Sequence, residues 1–178
     1  IILVPGFDTQ AMASLIAIRG RGGRLLEDEW RASGIQAHRG TMVAGYPNVF
    51  FLLGPNTGLG HNSVVFMIEC QIRLALDAIR AARAAGAALA PTERAQRAYN
   101  EWLERRHAGS VWSRSCKSWY LDEHGRNITL WPESTWRFAL QTRRIRPSEY
   151  ELIEPAEPRG PAVAPELPEL DRAVAGVA

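Results

Sequence analysis

The stretch from Val49 to Glu69, VFFLLGPNTGLGHNSVVFMIE, constrains the fold of this chain more than any other. Its first five residues, Val49 to Leu53, are valine, phenylalanine and leucine, the composition of a strand covered on both faces. Gly54-Pro55-Asn56 ends that run, and a helix is expected from about Asn62 to Ala85, with Gly86 as its C-cap. A strand end that feeds a helix start is a ligand site. The first backbone N–H groups of such a helix lack intrahelical partners and carry partial positive charge, so they favour an electron-rich group.

The size and charge of the chain limit what that site can belong to. At 178 residues and 46% hydrophobic, it can bury the core of one ordinary domain. With 21 basic and 19 acidic residues the net charge is +2, too small to argue for nucleic acid or an anionic membrane as a partner. Cys70 and Cys116 are too few for a disulfide framework, so a reduced, cytoplasmic protein is expected. No apolar run approaches the roughly 20 residues that span a bilayer.

Taken in order, Ile1-Ile2-Leu3-Val4 has the composition of a buried strand entered midway, which leads us to expect the C-terminal part of a longer polypeptide. Arg19 to Arg24 contains three glycines but does not match GxGxxG, because Leu25 stands where the last glycine is required; an exposed turn is expected. A short helix is expected from Leu25 to Trp30, burying Leu26 and Trp30, and a short strand near Thr41-Met42-Val43. Along the long helix, residues 65, 68, 72, 76 and 79 form an apolar stripe beside a charged row of Glu69, Arg73, Asp77 and Arg80. The first turns are apolar on nearly every side, which predicts burial beside a sheet. Thr92 is the expected N-cap of a further helix ending near Gly109, with Tyr99 and Trp102 in the core. Residues 118–122 and 127–131 suggest a hairpin around Gly125. Six of the eleven prolines fall at or after Pro147, which predicts a disordered tail.

Residue chemistry alone goes little further. His38, His61, His107 and His124 have no partner at metal-ligand spacing. Ser63 lies outside any GxSxG elbow and, in a first helical turn, is expected to be a cap.

Several landmarks in a fixed order add more. Val4-Pro5-Gly6-Phe7-Asp8, Tyr46-Pro47-Asn48-Val49-Phe50, Gly54-Pro55-Asn56-Thr57, Gly60-His61-Asn62-Ser63 and Cys116-Lys117-Ser118-Trp119-Tyr120 are followed by Gly125-Arg126-Asn127 and Trp131-Pro132. Together they resemble the C-terminal region of flavin-dependent Baeyer-Villiger monooxygenases, in the branch similar to 4-hydroxyacetophenone monooxygenases. The resemblance covers roughly residues 1 to 144.

It implies an α/β fold, the C-terminal part of a flavoprotein with two Rossmann-type dinucleotide-binding domains, in which a long helix follows the last flavin-domain strand. Residues 1–8 would end the NADPH domain and form the linker, and 9–90 would belong to the FAD domain. Residues 91–146 would be a helix and hairpin extension lining the active site, and 147–178 the disordered tail. The cofactors implied are FAD and NADPH, and the reaction is insertion of one oxygen atom from O2 into a ketone through a C4a-peroxyflavin. Carried over by position, Gly54, Pro55, Asn56 and Thr57 would lie along the flavin ring. Asn62, Ser63 and Val64 would offer backbone N–H groups to its pyrimidine edge, and Trp119 would contact NADP. Two departures matter: Pro5 stands where the family's linker has threonine, and the sequence holds no GxGxxG turn and no upstream active-site arginine. The chain alone is therefore expected to be inactive, with the missing FAD and NADPH domains as its partners. A stand-alone interaction module, or a flavin enzyme oxygenating nitrogen or sulfur, are the alternatives.

Overall fold

The computed structural model describes residues 16–110, 120–122 and 125–154. The expected first strand, the linker at 4–8, Cys116 and Trp119 lie outside the described residues. After an exposed 3-10 turn at Arg21–Gly23 come α1 (Leu26–Ser33), α2 (Val64–Ala85), β1 (Ala88–Pro91), α3 (Glu93–His107), α4 (Thr135–Thr142) and β2 (Tyr150–Ile153).

Helix α2 has the boundaries that its end residues dictate. Ser63 is the N-cap, its hydroxyl accepting the Phe66 N–H at 3.3 Å, and Gly86 closes the helix in the left-handed conformation at φ 60°. Thr92 caps α3 in the same way, its Oγ1 accepting the Ala95 N–H at 3.2 Å. In α1, Leu26 and Trp30 are one turn apart and buried together, as their spacing predicts.

Three apolar clusters form the core. Leu26, Trp30, Ala37, Val43 and Tyr46 pack under α1; Met42, Ala78, Ala82, Leu89 and Tyr150 join α2 to the sheet; Met67, Cys70, Leu103, Trp131 and Phe138 join α2, α3 and α4. Tyr99 and Trp102 pack against the last cluster, with Trp102 5.6 Å from Trp131 between ring centroids. Each large side chain fully withdrawn from water contributes roughly 1.5–3 kcal/mol.

Three expectations are corrected. Val49–Leu53 is not a strand: Asn48 and Leu53 bracket it with φ of 58° and 56°, and the Phe51 N–H bonds to the Thr41 carbonyl at 2.8 Å. A strand buried on both faces needs a strand along each edge, and among the described residues this segment is met only by the Thr41 and Tyr46 carbonyls and the Gln71 side chain. Thr41-Met42-Val43 is likewise a buried tight turn closed by a His38–Met42 bridge. The hairpin expected around Gly125 is present among the described residues: Leu121 and Asn127 bridge antiparallel, the Asp122 N–H bonds to the Arg126 carbonyl at 2.9 Å and the Ile128 N–H to the Tyr120 carbonyl at 3.1 Å, and Gly125 turns the chain at φ 75°. Order also continues past Pro147: a 3-10 turn at Pro147–Glu149 leads into β2, which pairs antiparallel with β1, Leu89 opposite Leu152. Proline content misplaced that boundary, because Pro147 starts a helical turn, where its missing N–H costs nothing.

The apolar stripe of α2 also differs from expectation. Its buried face is Met67, Cys70, Gln71, Leu74, Ala75, Ala78 and Ala82. Val65, Ile72, Leu76 and Ile79 are 63%, 40%, 45% and 38% exposed.

Candidate functional site

The loop from Gly54 to Gly58 is held by three sets of backbone contacts. It runs parallel to residues 128–130: the Asn56 N–H bonds to the Ile128 carbonyl and the Gly58 N–H to the Thr129 carbonyl, both at 2.9 Å. On its other side lies the 38–42 turn. A Cβ on Gly54 would stand 2.3 Å from the Gly40 oxygen, and one on Gly40 2.2 Å from Thr57 Cγ2, so glycine at both positions is what lets the two loops touch. Gln71, buried in α2, ties them to the helix: its Oε1 accepts the Leu53 N–H at 2.8 Å and its Nε2 donates to the Gly40 carbonyl at 2.7 Å and to Thr41 Oγ1 at 3.2 Å. Sequence reasoning missed Gln71. A lone polar residue on the apolar face of a helix is the signal that could have found it, since a buried amide must find partners.

The predicted site residues divide by what their side chains do. Asn56 and Thr57 are buried and turned inward: Asn56 Nδ2 donates to the Asn127 carbonyl at 2.6 Å, and Thr57 Oγ1 to the Gly54 carbonyl at 2.6 Å. Their side chains shape the loop and leave backbone, with half-exposed Gly54 and Pro55, to meet a ligand. Asn62 and Ser63 are exposed and Val64 half-buried at the start of α2. Asn62 Oδ1 accepts the Ser63 N–H at 2.7 Å, and its Nδ2 donates to Thr135 Oγ1 at 2.9 Å, anchoring the helix start to α4. With Phe66 satisfied by Ser63, the Val64 and Val65 N–H groups have no acceptor among the described residues. Open donors at a helix N-terminus fit an electron-rich ring edge. Trp119 lies outside the described residues.

The later landmarks buttress this loop. Asn127 Oδ1 accepts the Thr129 and Leu130 N–H groups at 3.1 and 2.8 Å, fixing the segment that Asn56 reads. Arg126 Nε bonds to Asp122 Oδ2 at 2.8 Å and its Nη groups reach the Ser33 carbonyl at 3.2 Å.

A second polar cluster lies behind the 38–42 turn. Glu149 Oε2 meets His38 Nε2 at 3.2 Å and Arg39 Nη2, and Arg39 also donates to the Gln141 and Arg144 carbonyls. Burial, more than any neighbour, lowers the His38 pKa, so the ring is neutral; the hydrogen bond from His38, with Arg39 close by, lowers that of Glu149. Because the Glu149 carboxylate can only accept, His38 Nε2 is the donor to it, and Nδ1 is buried with no hydrogen-bond partner among the described residues. His107 behaves similarly, burial lowering its pKa while Nε2 bonds to the Leu130 carbonyl at 3.0 Å. Both histidines thus serve as neutral ties between segments. No group of three potential metal ligands occurs among the described residues, and no helix there is long and apolar enough to cross a membrane.

No model of a known protein family matches the chain. Over 155 residues it is 48% identical to a Baeyer-Villiger monooxygenase of Pseudomonas aeruginosa, an alignment covering 85% of this chain and 29% of the relative. It is 35% identical over 158 residues to an FAD-binding monooxygenase of Aspergillus niger, covering 85% of this chain and 26% of that one. Among solved structures, an oxidized steroid monooxygenase bound to NADP superposes with a TM-score of 0.67 at 28% identity, over 78% of this chain and 27% of the other. The fold is therefore that of part of a flavin monooxygenase, and the chain spans less than a third of the length of the proteins it matches.

Proposed function

We propose that this chain is the flavin-contacting C-terminal part of an FAD- and NADPH-dependent monooxygenase that inserts one atom of O2 into a ketone, giving an ester or lactone. The observation that carries it is the start of α2, where Val64 and Val65 present open N–H groups beside a loop fixed by Gly40, Gly54, Asn56 and Gln71. The 48% identity to a Baeyer-Villiger monooxygenase supports the reaction class.

In this reading FAD supplies the oxygen-activating chemistry, and the chain's residues hold and shield its ring. Gly54 to Thr57 offer backbone along the ring, and Asn62, Ser63 and Val64 place the helix N-terminus at the pyrimidine edge. Negative charge there gains about 0.3–1 kcal/mol when exposed and up to about 2 kcal/mol when partly buried. Trp119 takes the side facing NADP and borders the space for the ketone. Gly125-Arg126-Asn127 and Trp131-Pro132 favour the branch similar to 4-hydroxyacetophenone monooxygenases, and in this fold Asn127 shapes the ligand-facing loop directly. The sequence holds no GxGxxG turn for either dinucleotide, so the chain acts only when joined to the FAD and NADPH domains, in the cytoplasm.

The test is a chimera in which this chain replaces the matching region of the Pseudomonas aeruginosa relative. Copurifying FAD and NADPH- and O2-dependent conversion of a ketone to an ester are expected. A colourless, well-folded chimera would overturn the reading. A flavin-loaded chimera that oxygenates only sulfides or amines would keep the flavin site and replace the reaction.

A further inference from the structure

A cavity of about 250 Å³ lies between the end of α3, the hairpin around Gly125 and the loop at Ile35 and Gln36. Of the described residues assigned to the flavin face, only Asn56 lines it, so the cavity is separate from that face. An apolar cavity of about 150 Å³ holds benzene, so this one has room for on the order of ten non-hydrogen atoms.

Its wall is apolar over Ile35, Leu103, Leu121 and Ile128, and polar where His107 and Asn127 enter it. Each of these two side chains carries a buried nitrogen without a hydrogen-bond partner, His107 Nδ1 and Asn127 Nδ2. The bonds they do make fix what those nitrogens can offer. The Leu130 carbonyl can only accept, so the proton of the His107 ring sits on Nε2, 3.0 Å away. Burial keeps that ring neutral, and Nδ1 is therefore a bare acceptor. Asn127 Oδ1 accepts the Thr129 and Leu130 N–H groups, which leaves Nδ2 as a donor with nothing to donate to.

One acceptor and one donor on an otherwise apolar wall select a chemical class. A hydroxyl can give its proton to Nδ1 and accept one from Nδ2. A carboxylate would set its charge against the Nδ1 lone pair, an ammonium would face the Asn127 N–H groups, and a lone carbonyl would leave Nδ1 unmet. The charged residues of the wall do not change this choice: Arg126 is already held by Asp122 and the Ser33 carbonyl, and Glu104 is exposed.

We propose that this cavity is a second small-molecule site, for an uncharged alcohol of at most about ten non-hydrogen atoms, whose hydroxyl end meets His107 and Asn127 and whose apolar body packs on Ile35, Leu103, Leu121 and Ile128. Asn56 and Asn127 also hold the loop from Gly54 to Gly58, so an occupant steadies that loop from behind. The site goes beyond the flavin reading and does not depend on it.

The test is an NMR titration of the full 178-residue chain with benzyl alcohol and with ethylbenzene, which has the same shape but a methyl group in place of the hydroxyl. Benzyl alcohol is expected to bind and to shift the ring Nδ1 signal of His107, which ethylbenzene leaves in place. His107→Phe weakens the alcohol about tenfold, as loss of a hydrogen bond at a buried site does, and changes ethylbenzene by less than about twofold. Ala108→Trp excludes both: residue 108 is an exposed part of the cavity wall with helical backbone, so tryptophan fits there without strain. Tighter binding of ethylbenzene with the Nδ1 signal unmoved would reduce the cavity to an apolar void and overturn the proposal. Failure of either compound to bind, or binding that survives Ala108→Trp, would overturn it too. Should His107→Phe unfold the chain, the Nδ1 shift and Ala108→Trp still decide. No flavin enters the measurement, so a colourless chimera would sink the enzyme reading and leave this result standing.

Discussion

Helix α2 turns Met67, Cys70, Gln71, Leu74 and Ala78 into the interior and leaves Val65, Ile72, Leu76 and Ile79 in solvent, although the second set is the more hydrophobic. Side-chain hydrophobicity therefore did not choose the inward face. The partners did: Phe138, Trp131 and Leu103 stand against Met67 and Cys70, Met42 and Leu89 against Ala78, and the 38–42 turn against Gln71. The larger aliphatic residues face the direction in which the described residues have nothing to pack against them. One face is finished within the chain, and the other stays exposed among the described residues.

Substitutions that remove the finished face cost most. Leu74→Ala or Met67→Ala lowers the unfolding free energy of the isolated chain by about 2–5 kcal/mol in urea titration; a loss no larger than at Ile72 would erase the distinction between the faces. Gln71→Ala is the next largest, at about 1–3 kcal/mol, because it strips partners from the Leu53 N–H and the Gly40 carbonyl. It also speeds hydrogen exchange at Leu53, which a purely local packing loss would not do.

Acid sharpens the comparison from the buried side. The folded pKa of His38 lies below its unfolded value of 6.5, so the unfolded chain takes up a proton first and stability falls as pH drops below about 6.5. Glu149 is also lowered, from 4.5, and removes a further increment as pH falls through its folded value. Unfolding midpoints followed from pH 8 to 3 hold above about pH 6.5 and decline below it, and His38→Gln flattens the upper part of the decline. The smallest effect is on the open face: Ile72→Ala or Leu76→Ala changes the stability of the isolated chain by no more than about 0.5 kcal/mol.

Local signals made parts of this molecule legible in its sequence. Ser63 and Gly86 bounded α2, Thr92 began α3, and Leu26 with Trp30 oriented α1, because caps and one-turn spacings act within a few residues. The strand at Val49–Leu53 was predicted from composition, whereas the backbone there is set by the positive φ of Asn48 and Leu53 and by its bonds to Thr41 and Gln71. β1 was hidden by its alanines and Pro91, and β2 by the surrounding prolines; both exist through their pairing. In the site, the glycine turn and the helix start were visible, whereas the inward use of Asn56, the Gln71 tie and the His38–Arg39–Glu149 cluster depend on contacts across tens of residues.

The central claim is that the N-terminus of α2 faces the flavin ring, and Val64→Pro in the chimera tests it most directly. Proline is tolerated at the first helical position, and Ser63 already has the extended conformation that must precede it, so the substitution deletes one N–H and spares the helix. The account predicts a flavin midpoint potential more negative by roughly 6–43 mV, the two-electron equivalent of losing about 0.3–2 kcal/mol of stabilisation of the reduced, anionic ring. An unchanged potential with unchanged FAD affinity would contradict it.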